Sequence, residues 1–284
     1  MIRIISIFVG LFFVLGLAWS FGNGAYVAIT EPAPATAEHE FHLAPKEVHF
    51  ASDGPFGKFD RQQLQRGFQV YKEVCSACHS LSHVAFRDLA ALGYSEAEVK
   101  AIAKGFQVPG VDPNTGEDAM RPGMPTDYFP KPFANDIAAR AANNNAVPPD
   151  LSLMTKARHE GPEYVYSLLT GYQNQPAELL KEFPDAKTPN GLHYNPYFAN
   201  LNLAMPPPLT SEGQVSYGDG TKATVDQMAK DISAFLIWTA EPKLEKRKQT
   251  GWPVLGFLLF ATVLGYMSYR NIWAEKKKEK YAAA

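Results

Sequence analysis

Both cysteines of this 284-residue chain fall inside Val74-Cys75-Ser76-Ala77-Cys78-His79-Ser80. Two thiols three positions apart, followed at once by an imidazole, fit three chemistries. A structural zinc site needs four ligands, and with no further cysteine the remainder would have to come from histidines that lack zinc-finger spacing. A redox dithiol of the thioredoxin type wants a βαβ setting, whereas here an amphipathic helical pattern precedes the motif. The third chemistry is covalent attachment of a c-type haem: the thiols add to neighbouring vinyl groups and His79 reaches the iron from the proximal side. Two cysteines scattered at random would take this spacing with a following histidine about once in several thousand sequences. Haem attachment also explains why an exported chain keeps no other thiol, since none is then available for wrong disulfides.

An electron-transfer haem needs a second axial ligand, and methionine sulfur raises the potential relative to a second histidine. Met1 and Met267 lie in hydrophobic end segments, Met228 fits a core stripe, and Met154 after Pro148-Pro149-Asp150-Leu151 reads as packing. Two loop methionines remain, Met124 in RPGMP and Met205 in LAMPPPL. Met205 is favoured because Pro206-Pro207-Pro208 would stiffen the loop that holds a weak ligand. Met124 stays open as an alternative, as do His83, His159 and His193 for a bis-histidine iron.

The elements that must position these groups are helical. Asp60 is a candidate N-cap, and Leu64, Phe68, Tyr71, Cys75 and Cys78 then form one continuous stripe running into the motif. A second helix is expected from the N-cap Thr224 through Val225, Met228, Ile232, Phe235, Leu236 and Trp238, ending before Pro242. Between them lie long Pro, Gly and Asn-rich segments such as PGVDPNTGEDAMRPGMPTDYFPKPF and NNNAVPPD. Loops of that length call for a large apolar centrepiece. No internal repeat is evident, and strand-like alternation is absent apart from a possible short hairpin at Gln214–Tyr217.

The ends carry the apolar runs. Ile4–Phe21 follows Arg3 in the layout of an export signal, or of an uncleaved anchor, since Ala35-Thr36-Ala37 lies far downstream for cleavage. Trp252–Tyr269 is uncharged, has Trp252, Tyr266, Tyr269 and Trp273 near its ends, and is followed by Lys276, Lys277, Lys278 and Lys280, the pattern of a transmembrane helix. Lys243, Lys246, Arg247 and Lys248 precede it, so basic residues alone do not orient it. Haem ligation to apocytochromes takes place on the periplasmic side in bacteria, which puts the haem domain outside and the lysine tail inside. The expected organisation is 1–24 signal or anchor, 25–44 linker, 45–242 periplasmic haem domain, 243–251 basic juxtamembrane segment, 252–271 transmembrane helix and 272–284 cytoplasmic tail. A net charge of −2 and a pI near 6.4 argue against nucleic acid as a partner.

RGFQVYKEVCSACHS, ARAANNNAVPPDLSLMTKARHEGPEYVYSLLTGY, YNPYF, AMPPPL and DGTKATVDQMAKDISAFLIWTAEPK, in this order and ahead of the terminal anchor, resemble the cytochrome c1 family, over roughly residues 45–280. The resemblance implies an all-α, class I cytochrome c-like haem domain with long loops, plus a C-terminal transmembrane helix. The helices bearing Gly67 and Trp238 would cross closely beside the haem. It also implies one covalent haem c on Cys75 and Cys78, with His79 and Met205 as axial ligands. Pro149 would offer its main-chain carbonyl to the proximal imidazole, Arg158 would bind a propionate, and Asn143, Tyr71 and Tyr164 would line the haem or its propionates. Some bacterial relatives carry a further cysteine pair near the methionine loop; this chain has none, so packing and prolines must hold that loop.

Carried over in the same way is the function: single electrons pass from a Rieske iron-sulfur protein to a cytochrome c, within a quinol-oxidising bc1 complex that also contains cytochrome b and is expected to be dimeric. The chain itself makes and breaks no bonds. Its expected location is the bacterial inner membrane, with a possible additional N-terminal anchor. Asp112, Glu117, Asp118, Glu178 and Asp185 are candidates for steering a basic cytochrome c. The competing functions are a free-standing, membrane-tethered electron shuttle and a haem enzyme with an open distal position, such as a peroxidase.

Overall fold

The computed structural model describes residues 2–31 and 35–282, with side chains described through residue 276. Met1, linker positions 32–34 and the side chains of Lys277, Lys278 and Lys280 therefore lie outside the described residues. In chain order the main elements are α1 (Ile2–Thr30), α2 (Ala37–Phe41), α3 (Arg61–Val70), α4 (Glu96–Lys104), β1 (Gln107–Val111), β2 (Asp118–Pro122), α5 (Asp136–Ala142), α6 (Gly161–Thr170), α7 (Ala177–Glu182), β3 (His193–Tyr194), β4 (Asn202–Leu203), α8 (Val225–Ala240) and α9 (Leu244–Ala282). They fall into two units. One comprises residues 1–42 with 176–187, and the other comprises 43–175 with 188–284.

In the smaller unit, α1 is apolar on every face and buries none of its residues. At 29 residues it extends roughly 43 Å, more than the hydrocarbon thickness of a bilayer. It continues past position 24, where the signal or anchor was expected to end. The linker is likewise not wholly irregular, because Thr36 caps α2. Phe41 and Phe183, just beyond α7, meet edge to face at 6.3 Å.

The larger unit is built on the crossing of α3 and α8. Asp60 caps α3 by accepting from the backbone N–H groups of Gln62 and Gln63, and Thr224 caps α8 by accepting from that of Gln227, as their sequence positions predict. At Gly67 the two helices are as close as backbones come. A Cβ there would lie 2.1 Å from the Asp231 carbonyl oxygen and 2.6 Å from Phe235 Cβ. The close approach thus falls on Asp231 and Phe235, with Trp238 one turn further along α8, its ring 5.7 Å from that of Phe235.

Around the crossing the core is aromatic. Phe68 touches Tyr94, Phe129 and Phe235, and Phe86 packs on Phe129 with ring centroids 4.4 Å apart. Fully burying such a side chain contributes about 1.5–3 kcal/mol. These rings, drawn from α3, α8 and the intervening loops, let a loop-heavy segment share one core.

Three local features depart from the sequence expectation. The stripe through Tyr71 and Cys75 is interrupted by a π-turn at Tyr71–Cys75, where Ser76 N–H donates to Tyr71 O at 2.8 Å. β1 and β2 pair antiparallel, from Gln107 opposite Pro122 to Val111 opposite Asp118. By contrast, Gln214–Tyr217 forms no strand; Gln214 spends its side chain on Pro208 O and Thr210 N–H.

The basic segment 243–251 and the span 252–271 are not separate pieces. Residues 244–282 form one helix that tolerates Pro253, at the cost of the N–H that would have served Gln249 O. Like α1, it contains a stretch long and apolar enough to cross a membrane.

Candidate functional site

The π-turn delivers the motif. Beyond it, the N–H groups of Cys78 and His79 both return to Cys75 O, at 3.1 and 2.9 Å, in a tight loop that presents the two free thiols and the imidazole together. Burial, reinforced by the neighbouring Cys78, pushes the Cys75 thiol up to about 12, so it rests as a neutral thiol.

His79 is oriented from outside its own segment. Its Nδ1 lies 2.8 Å from Pro149 O. A carbonyl can only accept, so Nδ1 carries the proton and Nε2 keeps its lone pair for a metal. Burial lowers the imidazole's pKa, against the opposing pull of the Pro149 carbonyl and of Asp150, and keeps the ring neutral and ligating near pH 7.

The Pro149 carbonyl is in turn fixed by its neighbour. The Asp150 carboxylate accepts from Ser80 Oγ, Ser82 N–H, Ser82 Oγ and Ser152 N–H at 2.7–2.9 Å, and Leu151 N–H donates to Ser80 O. Burial alone would raise its pKa; the donors at Ser152, Ser82 and Ser80 more than reverse this and hold it well below the usual carboxylate range. Ser80, Ser82, Asp150 and Ser152 were missed in the sequence, although a lone acid beside the proline pair and a serine-rich stretch after the motif were its visible signs. Tyr71, buried on the π-turn, adds a second tie by donating to His79 O at 3.0 Å.

A second group gathers around Met205. Its carbonyl accepts from Tyr172 Oη at 3.0 Å, and burial together with the nearby Tyr164 pushes the Tyr172 phenol up. Burial also raises Tyr164, while the adjoining Arg158 guanidinium opposes that rise. Arg158, Tyr164, Tyr172 and the Met205 loop are thus neighbours in space, and a cation sits at the exposed end.

Asn143 stands apart from these hydrogen bonds: its amide donates to Ala139 O at the end of α5. Among the alternatives, Met124 is half exposed in a turn held by Asp127 and Arg121, Met154 packs against the core, and Met228 is fully buried. His83 and His159 are exposed. His193 lines an open groove of 540 Å³ with Tyr172 and Pro207. Of the acidic candidates, Asp112, Glu117 and Asp118 share the β1–β2 turn, whereas Glu178 and Asp185 belong to the smaller unit.

The donor set suits a porphyrin iron. It offers two free thiols and a neutral imidazole with one nitrogen available, and no cluster of three or more His, Cys, Asp or Glu suited to a metal ion occurs among the described residues. A family model described as the Cytochrome C1 family matches residues 50–276. The chain belongs to that family.

Cytochrome c1 of Rhodospirillum rubrum is 46% identical over 233 residues, 79% of this chain and 85% of that protein. A mitochondrial cytochrome c1 heme protein of Arabidopsis thaliana is 45% identical over 262 residues, 91% of this chain and 82% of its own. The cytochrome b/c1 protein of Bradyrhizobium diazoefficiens is 47% identical over 237 residues; these are 78% of this chain but only 34% of that longer protein. As a family member, the chain is a haem c-containing electron-transfer subunit of the bc1 type, with a class I cytochrome c fold and a C-terminal apolar helix.

Proposed function

We propose that this chain takes single electrons from a Rieske iron-sulfur protein and gives them to a cytochrome c, as the subunit that sits beside cytochrome b in a dimeric, quinol-oxidising bc1 complex. The observation that carries the proposal is the 2.8 Å approach of His79 Nδ1 to Pro149 O directly after the paired thiols, the arrangement of an oriented axial ligand rather than of a catalytic base. Haem c, when bound, supplies a one-electron couple at its iron.

The chain's own residues do the rest. Cys75 and Cys78 would hold the group covalently, and His79 would offer Nε2 to its iron in an orientation set by Pro149 O and, through it, by Asp150 and its serines. Met205 Sδ would supply a second ligand to the iron, from a loop steadied by Tyr172 and the following prolines. Arg158, with Tyr164 beside it, would take a propionate, and Tyr71 and Asn143 would line the group as the family resemblance implies. An aromatic core with few polar atoms excludes water, which keeps the charge change on electron transfer from drawing in solvent.

The apolar helix α9 holds the domain at the inner membrane on the periplasmic side, and α1 is either an export signal or a second anchor. The name of the Bradyrhizobium relative, which joins b and c1, supports cytochrome b as a neighbour. The acids of the β1–β2 turn would steer a basic acceptor.

Mild-detergent purification through a tag on this chain should bring down cytochrome b and a Rieske protein in stoichiometric amounts. Haem in the isolated assembly should be reduced on adding quinol and reoxidised by added cytochrome c. Recovery of the haem protein as a stable monomer without those subunits would instead make it a free-standing tethered shuttle.

A further inference from the structure

The YNPYF stretch, residues 194–198, contributes no group to the haem site, yet it stands between β3 and β4 just ahead of the Met205 loop. Its centre is Asn195, which is fully buried. Each polar atom of that residue is spent. The backbone N–H donates to Leu201 O at 2.9 Å, and the carbonyl accepts from Phe198 N–H at 3.1 Å. In the side chain, Oδ1 accepts from Tyr197 N–H at 3.1 Å and Nδ2 donates to Leu168 O at 2.8 Å.

These bonds close residues 195–201 into a ring and fasten the ring to α6. Leu168 O belongs to the last turn of that helix, where carbonyls run out of helical partners, and its own chain offers it a long contact from Gly171 N–H at 3.5 Å. Asn195 thus caps α6 from a distant segment. The ring also presses on the helix end: a Cβ at Gly171 would stand 2.4 Å from Tyr197 Cδ2, so the two segments meet with no side chain between them. The next residue is Tyr172, whose hydroxyl donates to Met205 O.

The far side of the ring is strained. Leu201 is buried with a φ of 63°, in the left-handed region that L side chains rarely adopt. It is gripped from both sides, its N–H donating to Phe198 O at 2.8 Å and its carbonyl accepting from Asn195. Such a residue persists only where its surroundings over-determine it. From that turn the chain enters Asn202–Leu203, which pair with Tyr194 and His193, and reaches Met205 two residues later.

We propose that Asn195 is a positioning residue for the methionine ligand. It locks residues 195–201 in their strained form and ties that form to the helix end bearing Tyr172, so the Met205 loop is held both by its approach and by its carbonyl. The proposal rests on the reading of Met205 as the second ligand to the iron; Asn195 itself is no ligand. A loop that rarely opens keeps the potential of the one-electron couple fixed and closes the iron to outside ligands.

The test is the rate at which cyanide binds the oxidised full-length holoprotein, since an outside ligand must wait for the methionine to leave. Asn195→Ala strips Leu168 O and Tyr197 N–H of their partner, and cyanide should bind about tenfold faster. Hydrogen exchange in peptides spanning residues 195–205 should quicken by a similar factor, with α3 and α8 unchanged. Gly67→Ala, which disturbs the α3–α8 crossing instead, should lower thermal stability and leave the cyanide rate as in wild type. An unchanged cyanide rate and unchanged exchange in Asn195→Ala would overturn the proposal, as would equal acceleration in Gly67→Ala. If Asn195→Ala does not accumulate, wild type decides: slow exchange of the Tyr197 and Leu201 amides supports the ring and fast exchange overturns it. Should Met205→Leu bind cyanide no faster than wild type, the ligand assignment would fall, while exchange would still report whether Asn195 holds the loop.

Discussion

Gly67→Ala adds one methyl group at the tightest point of the molecule, and its cost can be worked from the surroundings. The new Cβ would lie 2.1 Å from a backbone oxygen, where ordinary contact begins at 3.4 Å, so α3 and α8 must part by more than 1 Å. The obstacle is main chain in mid-helix and cannot rotate away. Overpacking of this kind costs about 1–3 kcal/mol. The same displacement stretches the bonds that cross the interface to the fully buried Asp231 carboxylate, from Arg66 Nε at 2.9 Å and Gln63 Nε2 at 3.1 Å. A hydrogen bond to a charged group is worth about 1.5–3 kcal/mol. Against this, alanine gains about 1 kcal/mol of helix propensity over glycine. The net loss is about 3 kcal/mol, or roughly 10 °C in Tm for a domain of this size. Thermal unfolding of the full-length holoprotein, followed together by haem absorption and far-ultraviolet circular dichroism, measures it. Gly218→Ala is the control, since nothing lies within 4 Å of its added methyl and its φ is not positive. If Gly67→Ala melted within about 2 °C of wild type, the crossing could not be the constraint it is taken to be.

Two further perturbations probe the Arg66 ion pair beside the helix crossing and the Met205 loop. The Asp219 carboxyl is held down to about 2, first by the Thr221 N–H and then by the Arg66 guanidinium. A depressed folded pKa contributes stability that is present above the unfolded value of 3.8 and is lost as pH falls toward 2. Asp219→Asn should therefore flatten the acid limb of the stability curve in that window, by less than about 1 kcal/mol because the pair is partly solvated; an unchanged limb would count against the assignment. Tyr172→Phe removes the donor to Met205 O and should cost about 1 kcal/mol, with the methionine-to-iron charge-transfer band fading on warming before the helices melt. Band and helices lost together, as in wild type, would leave Tyr172 no special hold on that loop.

Much of this was legible in the sequence because side-chain chemistry wrote it there. Asp60 and Thr224 announce helix starts through their capping oxygens and the α3 and α8 stripes follow from burial, whereas the close approach at Gly67 was implied by the family resemblance. The π-turn at Tyr71–Cys75 was not legible, since widening one turn by a residue changes which carbonyl meets which N–H and leaves the apolar spacing intact. The β1–β2 ribbon escaped for a different reason. Its residues are mostly exposed on both faces, with only Val108 buried, so no period-two pattern was needed to build it. The lace around Asp150 also lay beyond local reading, because its Ser80 and Ser82 donors come from positions some seventy residues earlier in the chain.

The central claim is that one haem c is held by Cys75, Cys78 and His79 with Met205 closing the iron. It is tested most directly by near-infrared magnetic circular dichroism of the oxidised holoprotein in three forms: wild type, Met205→Leu and Met124→Leu. The methionine-to-iron band should be present in wild type, absent in Met205→Leu with a lowered potential, and unchanged in Met124→Leu. Persistence of the band in Met205→Leu together with its loss in Met124→Leu would contradict the account and move the ligand to the half-exposed turn at Asp127.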